Sequence, residues 1–262
     1  IEPSGGTVSS YRIMEDGSLA FINKQLSHGD DPCYVDVTPD GKYVAVSNYG
    51  SGSVALFPVN EDGSLQPASS VDQHEGSGPN NGRQSKAHAH SIRFSGNPGL
   101  VYSADLGTDK LYAYTLDRTH NKLVPSSPAY AVLPPGSGPR HFDFSGDRKY
   151  CYVANELISS ITVFRNDQEK MTEIQTISTV PSDFKGVSYC ADIHLSADGK
   201  LVYVSNRGHN SIAVFNRTAE GKLTRITTVS THGNWPRNFT SDPSGKYMLV
   251  ANQRSHNIVV FS

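Results

Sequence analysis

The chain has 262 residues, a formal charge of −2 and three cysteines, and 36% of it is apolar. That near-neutral balance gives no electrostatic footing for nucleic acid or an anionic membrane surface, and no stretch approaches a transmembrane run. No Pro/Ser-rich linker or composition shift divides the chain, so residues 1–262 read as one domain.

In chain order, 7–13 and 19–26 read as an outer hairpin around Asp16-Gly17-Ser18, with no inner hairpin before them. An inner hairpin then starts near Pro32 and closes with 41–48, followed by an outer pair, 53–59 with 65–71. The unit repeats from His88 to Asp105, with 110–116 and 123–132 outside it. It repeats again as 140–145 with 149–155, followed by 161–165 with 171–178. From Cys190 to Asn206 it returns, followed by 212–217 with 223–230. The last copy starts at Pro236, closes at Asn252 and adds 257–261 as a third strand. The closing residues 48, 105, 155, 206 and 252 lie 57, 50, 51 and 46 apart. Strands throughout, a period near fifty and no amphipathic helix predict an all-β fold, a β-propeller of four-stranded antiparallel blades.

The loops divide by face. Asp40-Gly41, Asp62-Gly63, Asp198-Gly199, Glu220-Gly221 and Ser244-Gly245 are short turns whose Gly supplies positive φ. The opposite connections are longer and more polar, as in 72–87, 133–139 and 179–189, and that face is where a propeller presents a site. An antiparallel hairpin sets the start of its first strand beside the end of its second. Arg140 and His141 therefore meet Asn155 and Glu156 at one mouth, and Arg207 repeats the Glu156 position one blade on.

His88, His90, Asp105, Asp192, His194, His209, Trp235 and Arg237 fall at the same end. Asp105 stands where the other blades carry Asn, so it reads as a group satisfying backbone at a strand end. Asp192 and His194 read as buried hydrogen-bonding groups, and Trp235-Pro236 as packing. His88 and His90 share a strand face, as half of a metal site would, but no third ligand has a matching motif, and metal is not expected. Two arginines, a carboxylate and a histidine suit an anionic substrate and a hydrolytic or proton-transfer reaction. Cys33, Cys151 and Cys190 read as strand-buried thiols of a reducing compartment. The Asn-x-Thr triplets at Asn216 and Asn238 read as chance matches. Ile1 opens the chain without a start methionine, so a targeting signal is not judged from it.

Motifs in order along nearly the whole chain carry a resemblance. They are Gly76-Ser77-Gly78-Pro79, Lys86-Ala87-His88-Ala89-His90-Ser91, Ala104-Asp105-Leu106-Gly107-Thr108-Asp109, Pro135-Gly136-Ser137-Gly138-Pro139-Arg140-His141 and Val153-Ala154-Asn155-Glu156-Leu157. Ala191-Asp192-Ile193-His194, Ser205-Asn206-Arg207-Gly208-His209 and Trp235-Pro236-Arg237 complete them. The set resembles the seven-bladed propeller lactonases, a family of bacterial 6-phosphogluconolactonases and a fungal carboxy-cis,cis-muconate cyclising enzyme. The resemblance implies seven blades in the complete protein, with about five represented here and the chain incomplete at both ends. It implies a catalytic set of His90 (or His88), Arg140, Glu156 and Arg207, acting without metal or cofactor on a small anionic lactone. In that scheme Glu156 or His90 activates water, and the arginines hold the substrate and its oxyanion. His88, Lys86, Arg83, His141, Asn155, Asn206 and Arg237 are then expected to bind substrate. The implied setting is cytoplasmic carbohydrate metabolism, with no nucleic-acid or membrane partner and the oligomeric state open. A muconate-type cycloisomerase and a non-catalytic binding platform are the rival readings.

Overall fold

The computed structural model describes residues 5–95, 99–167 and 170–262. Among them are twenty-one strands and no helix, divided between two compact units, residues 1–132 and 133–262.

In the first unit, β1 (Thr7–Ile13) pairs with β2 (Leu19–Leu26). Two four-stranded antiparallel sheets follow in sequential order. One holds β3 (Pro32–Val37), β4 (Tyr43–Asn48), β5 (Ser53–Pro58) and β6 (Ser70–Gln73). The other holds β7 (Ala89–Phe94), β8 (Leu100–Asp105), β9 (Lys110–Asp117) and β10 (Lys122–Val132). The second unit repeats the plan. Its first sheet is β11 (Pro139–Phe144), β12 (Tyr150–Asn155), β13 (Ser160–Asp167) and β14 (Lys170–Ser178). Its second is β15 (Tyr189–Leu195), β16 (Leu201–Arg207), β17 (Ser211–Arg217) and β18 (Leu223–Ser230). A three-stranded sheet of β19 (Pro236–Ser241), β20 (Met248–Asn252) and β21 (Asn257–Phe261) ends it. These are propeller blades, each meandering outward from its first strand.

One expected strand is corrected. Residues 65–71 are not one continuous strand: Leu65 makes an isolated bridge to Val59, and the strand itself starts only at Ser70, in β6. Pro67 lies between and has no N–H to give a ladder.

The middle strands are buried on both faces, which is why they read as near-continuous apolar runs. Tyr43, Ala45, Val54 and Leu56 pack on Ala89, Ile92, Val101 and Tyr114 of the next sheet, while Val44, Val46, Ala55 and Phe57 pack on the other face. In the second unit Tyr152, Ala154, Ile161 and Val163 meet Ile193, Val202, Val204 and Phe215 in the same way. Each Val, Leu, Ile or Phe among them contributes about 1.5–3 kcal/mol on full burial. Cys151 and Cys190 belong to these interiors; Cys33, on β3, is exposed, correcting the expectation that all three thiols are buried.

Two local devices recur among the inner hairpins. At the strand end, the side chain of Asn48, Asn206 or Asn252 donates to the carbonyl of Ser27, Thr179 or Thr231, 3.0–3.2 Å away. Asp105 stands at that position in its sheet, accepts from the backbone N–H of His88 and Thr108 at 3.0 Å, and meets His74 Nδ1 at 2.8 Å. An acceptor has replaced a donor, and an imidazole supplies the missing hydrogen. The second device is a β-bulge one residue into the first strand. It falls on Cys33 in β3, His90 in β7, Arg140 in β11 and Arg237 in β19, while β15 is irregular at Ala191-Asp192.

Candidate active site

A bulge turns one side chain out of the alternating pattern of its strand and is a common way to aim a functional group. Arg140 is such a residue, and Glu156 and Arg207 each follow a strand-end asparagine. Glu156 N donates to Gly138 O at 2.8 Å, which ties the residue to the hairpin mouth.

There the three converge. Glu156 Oε2 lies 3.1 Å from Arg140 Nε and 2.7 Å from Arg207 Nη2, so one carboxylate oxygen holds two guanidiniums. All three side chains are at least 95% buried. Arg207 Nη2 also donates to Cys190 O at 2.9 Å, and Arg140 Nη1 donates to Ala191 O. The Arg207 guanidinium sits 5.7 Å from the ring centroid of Trp235, which the Arg254 guanidinium also meets at 3.4 Å. Burial and the adjacent Arg207 pull Arg140 from its ordinary 12.5 down to about 10, against the opposing effect of Glu156. Arg140 therefore remains a cation at neutral pH. Two cations on one anion leave a net positive, desolvated spot, suited to an anion or a developing oxyanion.

Behind Arg140 lies a second layer. Arg140 Nη1 is 3.1 Å from His141 Nε2, and His141 Nδ1 is 2.7 Å from Asp192 Oδ1. Asp192 Oδ2 accepts from His194 Nε2 at 3.1 Å, Asn238 Nδ2 at 2.6 Å and Phe239 N at 3.2 Å. Burial and Arg140 push His141 down to about 4, with Asp192 opposing. Burial by itself would raise the Asp192 carboxyl; its histidine partners hold it well below the carboxylate range.

In the first unit, His90 is the bulge residue of β7 and His88 precedes the strand, so His90 shares Arg140's place in the repeat. His88 Nδ1 donates to Tyr49 O at 2.9 Å and its ring stacks on Tyr49 at 4.5 Å. Cys33 Sγ lies 3.8 Å from His90 Nδ1. Arg83 Nη2 reaches Tyr49 Oη at 3.4 Å, and Lys86 is exposed.

Three residues expected to bind substrate are engaged within the protein. Asn155 and Asn206 are fully buried: Asn155 Nδ2 donates to Ser160 Oγ and Thr162 Oγ1, both at 2.9 Å, and Asn206 holds Thr179. They fasten strand ends. His141 has its two ring nitrogens turned to Arg140 and Asp192 and supports the arginine from behind. Arg237 is exposed, and its charge acts on Arg140. Asp105 and Asp192 are the buried hydrogen-bonding groups expected of them. Asn238 and Arg254 went unrecognised; Asn238 pairs with Ala251 as His141 pairs with Ala154, and aligning the hairpins on their terminal asparagines would have exposed that equivalence. Among the described residues no three His, Cys, Asp or Glu side chains form a metal-ligand set.

Comparisons with known proteins place the chain in a family. The chain is 41% identical over 260 residues to a 6-phosphogluconolactonase of Bacillus subtilis, covering 98% of this chain and 73% of that one. A solved structure described as the periplasmic gluconolactonase of Pseudomonas aeruginosa superposes with a TM-score of 0.93 at 34% identity, covering all of this chain and 74% of its own. A Lactobacillus plantarum protein superposes at 0.92 with 32% identity, over 100% and 75%. The family model described as "Lactonase, 7-bladed beta-propeller" matches residues 2–262. With blades, mouth and match in accord, the chain belongs to the seven-bladed β-propeller lactonase family.

Proposed function

We propose that the protein hydrolyses a sugar-acid lactone, 6-phosphogluconolactone, to its open acid without a metal ion. The observation that carries this reading is the pair of buried guanidiniums on Glu156. Water adds to the ring carbonyl, the oxyanion forms against Arg140 and Arg207, and the ring C–O bond breaks as the ring oxygen takes a proton. His90 or Glu156 takes the proton from water and returns it. Because Glu156 Oε2 already lies against both arginines, we assign the carboxylate to holding them; the proton transfer is then the role that the family resemblance implies for His90. Arg83, Lys86 and Arg237 are the candidates for the substrate's phosphate. The Bacillus subtilis relative's name supports the choice of substrate.

The setting that follows is carbohydrate metabolism in the cytoplasm, at the lactone step of the pentose phosphate pathway. Cysteines held as thiols rather than disulfides fit it, and cell fractionation checks it against the periplasmic site named for the Pseudomonas neighbour. Incubation with 6-phosphogluconolactone, unphosphorylated gluconolactone and a carboxymuconate tests the activity. Acceleration over spontaneous hydrolysis for the phosphorylated lactone is expected. Turnover of the muconate alone would replace the hydrolase by a cycloisomerase, and no turnover would leave a binding platform.

A further inference from the structure

We infer that His141 and Asp192 are positioning residues that hold Arg140 in its working orientation through a fixed proton arrangement, with His141 as the neutral Nδ1–H tautomer. This rests on the reading of Arg140 as an oxyanion donor and goes beyond it, since neither residue faces the reaction in that reading. A guanidinium can only donate, so the 3.1 Å contact from Arg140 Nη1 requires a bare lone pair on His141 Nε2. The ring's one hydrogen must then lie on Nδ1, where Asp192 Oδ1 accepts it at 2.7 Å. Asp192 is kept an acceptor on both oxygens. Oδ1 also receives the Ile193 N–H at 3.1 Å, and Oδ2 receives His194 Nε2, Asn238 Nδ2 and Phe239 N. Arg140, Asp192 and His194 are the charged or titratable groups acting on the His141 ring, with Glu156, Arg207 and Arg237 acting on Arg140 behind them. The low proton affinity of His141, down at about 4, keeps the arrangement intact through the neutral range.

Asp192→Asn breaks the logic while keeping the shape. Three donors crowd Oδ2, so the new amide nitrogen turns toward His141 and asks Nδ1 to accept. The ring hydrogen moves to Nε2 and confronts the Arg140 donor, the tautomer reversal that an Asp-to-Asn change produces at a histidine pair. His141→Gln instead offers Arg140 an oxygen that accepts at every pH.

The experiment reads nitrogen shifts of the His141 ring by two-bond 1H–15N NMR, together with kcat and KM for lactone hydrolysis. Expected are an Nδ1–H ring in the wild type from pH 5 to 9 and an Nε2–H ring in Asp192→Asn. That variant should lose on the order of 10² in kcat with a smaller change in KM, as a misplaced catalytic donor does. His141→Gln should keep more activity than Asp192→Asn and lose the acid limb of the pH profile. A wild-type ring that is Nε2–H or doubly protonated at pH 7 overturns the inference, and so does a folded Asp192→Asn with wild-type kcat. Should Asp192→Asn not fold, the wild-type spectrum decides by itself. A wild type with the Nδ1–H ring and no lactone turnover overturns the hydrolase reading, and the arginine's role with it, while the proton arrangement stands.

Discussion

Glu156 is the residue on which the arginine pair depends. With both guanidiniums on Oε2 and almost no water near, removing the negative charge leaves two like charges buried together. Glu156→Gln keeps the volume and loses the attraction. Its kcat/KM is expected to fall by about 10²–10³, the usual effect of losing an oxyanion-stabilising arrangement, with circular dichroism unchanged and the melting temperature lowered. His141 makes a separate prediction about stability. Its affinity for a proton is about 4 folded against 6.5 in the reference state, so between those values the unfolded chain binds a proton that the native state refuses. Stability from this residue is therefore complete above pH 6.5, declines as pH falls toward 4 and levels off below it, by roughly 3 kcal/mol in all. Denaturant midpoints at a series of pH values should show this decline in the wild type and a shallower one in His141→Gln. Equal slopes would mean that His141 is not held neutral.

At the scale of the element, the inner hairpin does most of the positioning, and Gly208 shows how tightly. It follows Arg207 with φ at +96°, and a Cβ there would lie 2.2 Å from Val187 O, a backbone atom that cannot step aside. Gly208→Ala is expected to lower stability by about 2 kcal/mol or more and to reduce activity through the displaced Arg207. A variant with the wild-type melting temperature would show that the loop yields. These hairpins were the part of the fold most open to reading. The strand ends announce themselves by Asn48, Asn155, Asn206 and Asn252, and buried middle strands by unbroken apolar runs. Hence the sequence alone points Arg140, Glu156 and Arg207 to one mouth. The bulge was not legible, because an extra residue in one strand leaves no mark in that strand's own alternation; only pairing reveals it. That is why His88 and His90 stood level in the sequence and separate in the structure. His74, which supplies Asp105 with its hydrogen, sits in a polar connection with no local signal. Pro67 was a signal, and the pattern of apolar residues around it hid its meaning.

Across the whole molecule the same two positions of each hairpin recur with different chemistry. The bulge carries Cys33, His90, Arg140 or Arg237, and the residue after the strand-end amide or carboxylate is Tyr49, Leu106, Glu156, Arg207 or Gln253. A repeated scaffold can thus change its reaction by changing a few side chains while the apolar interior stays as it is. The reaction proposed for those positions calls on no metal ion. Activity is expected to survive exhaustive EDTA treatment; inactivation that a divalent ion reverses would recast His88 and His90 as ligands. The sole tryptophan, Trp235, lies against Arg207 and Arg254, so its fluorescence should change when a sugar-acid phosphate binds, and saturably. An unresponsive emission would separate Arg207 from the ligand site. The central claim is that Arg140 and Arg207, held by Glu156, accelerate lactone opening, and the most direct measurement is kcat/KM for 6-phosphogluconolactone in the wild type, Arg140→Lys and Arg207→Lys. The account predicts acceleration over the spontaneous rate in the wild type and a loss on the order of 10² or more in each folded variant; wild-type kcat/KM in both variants would contradict it.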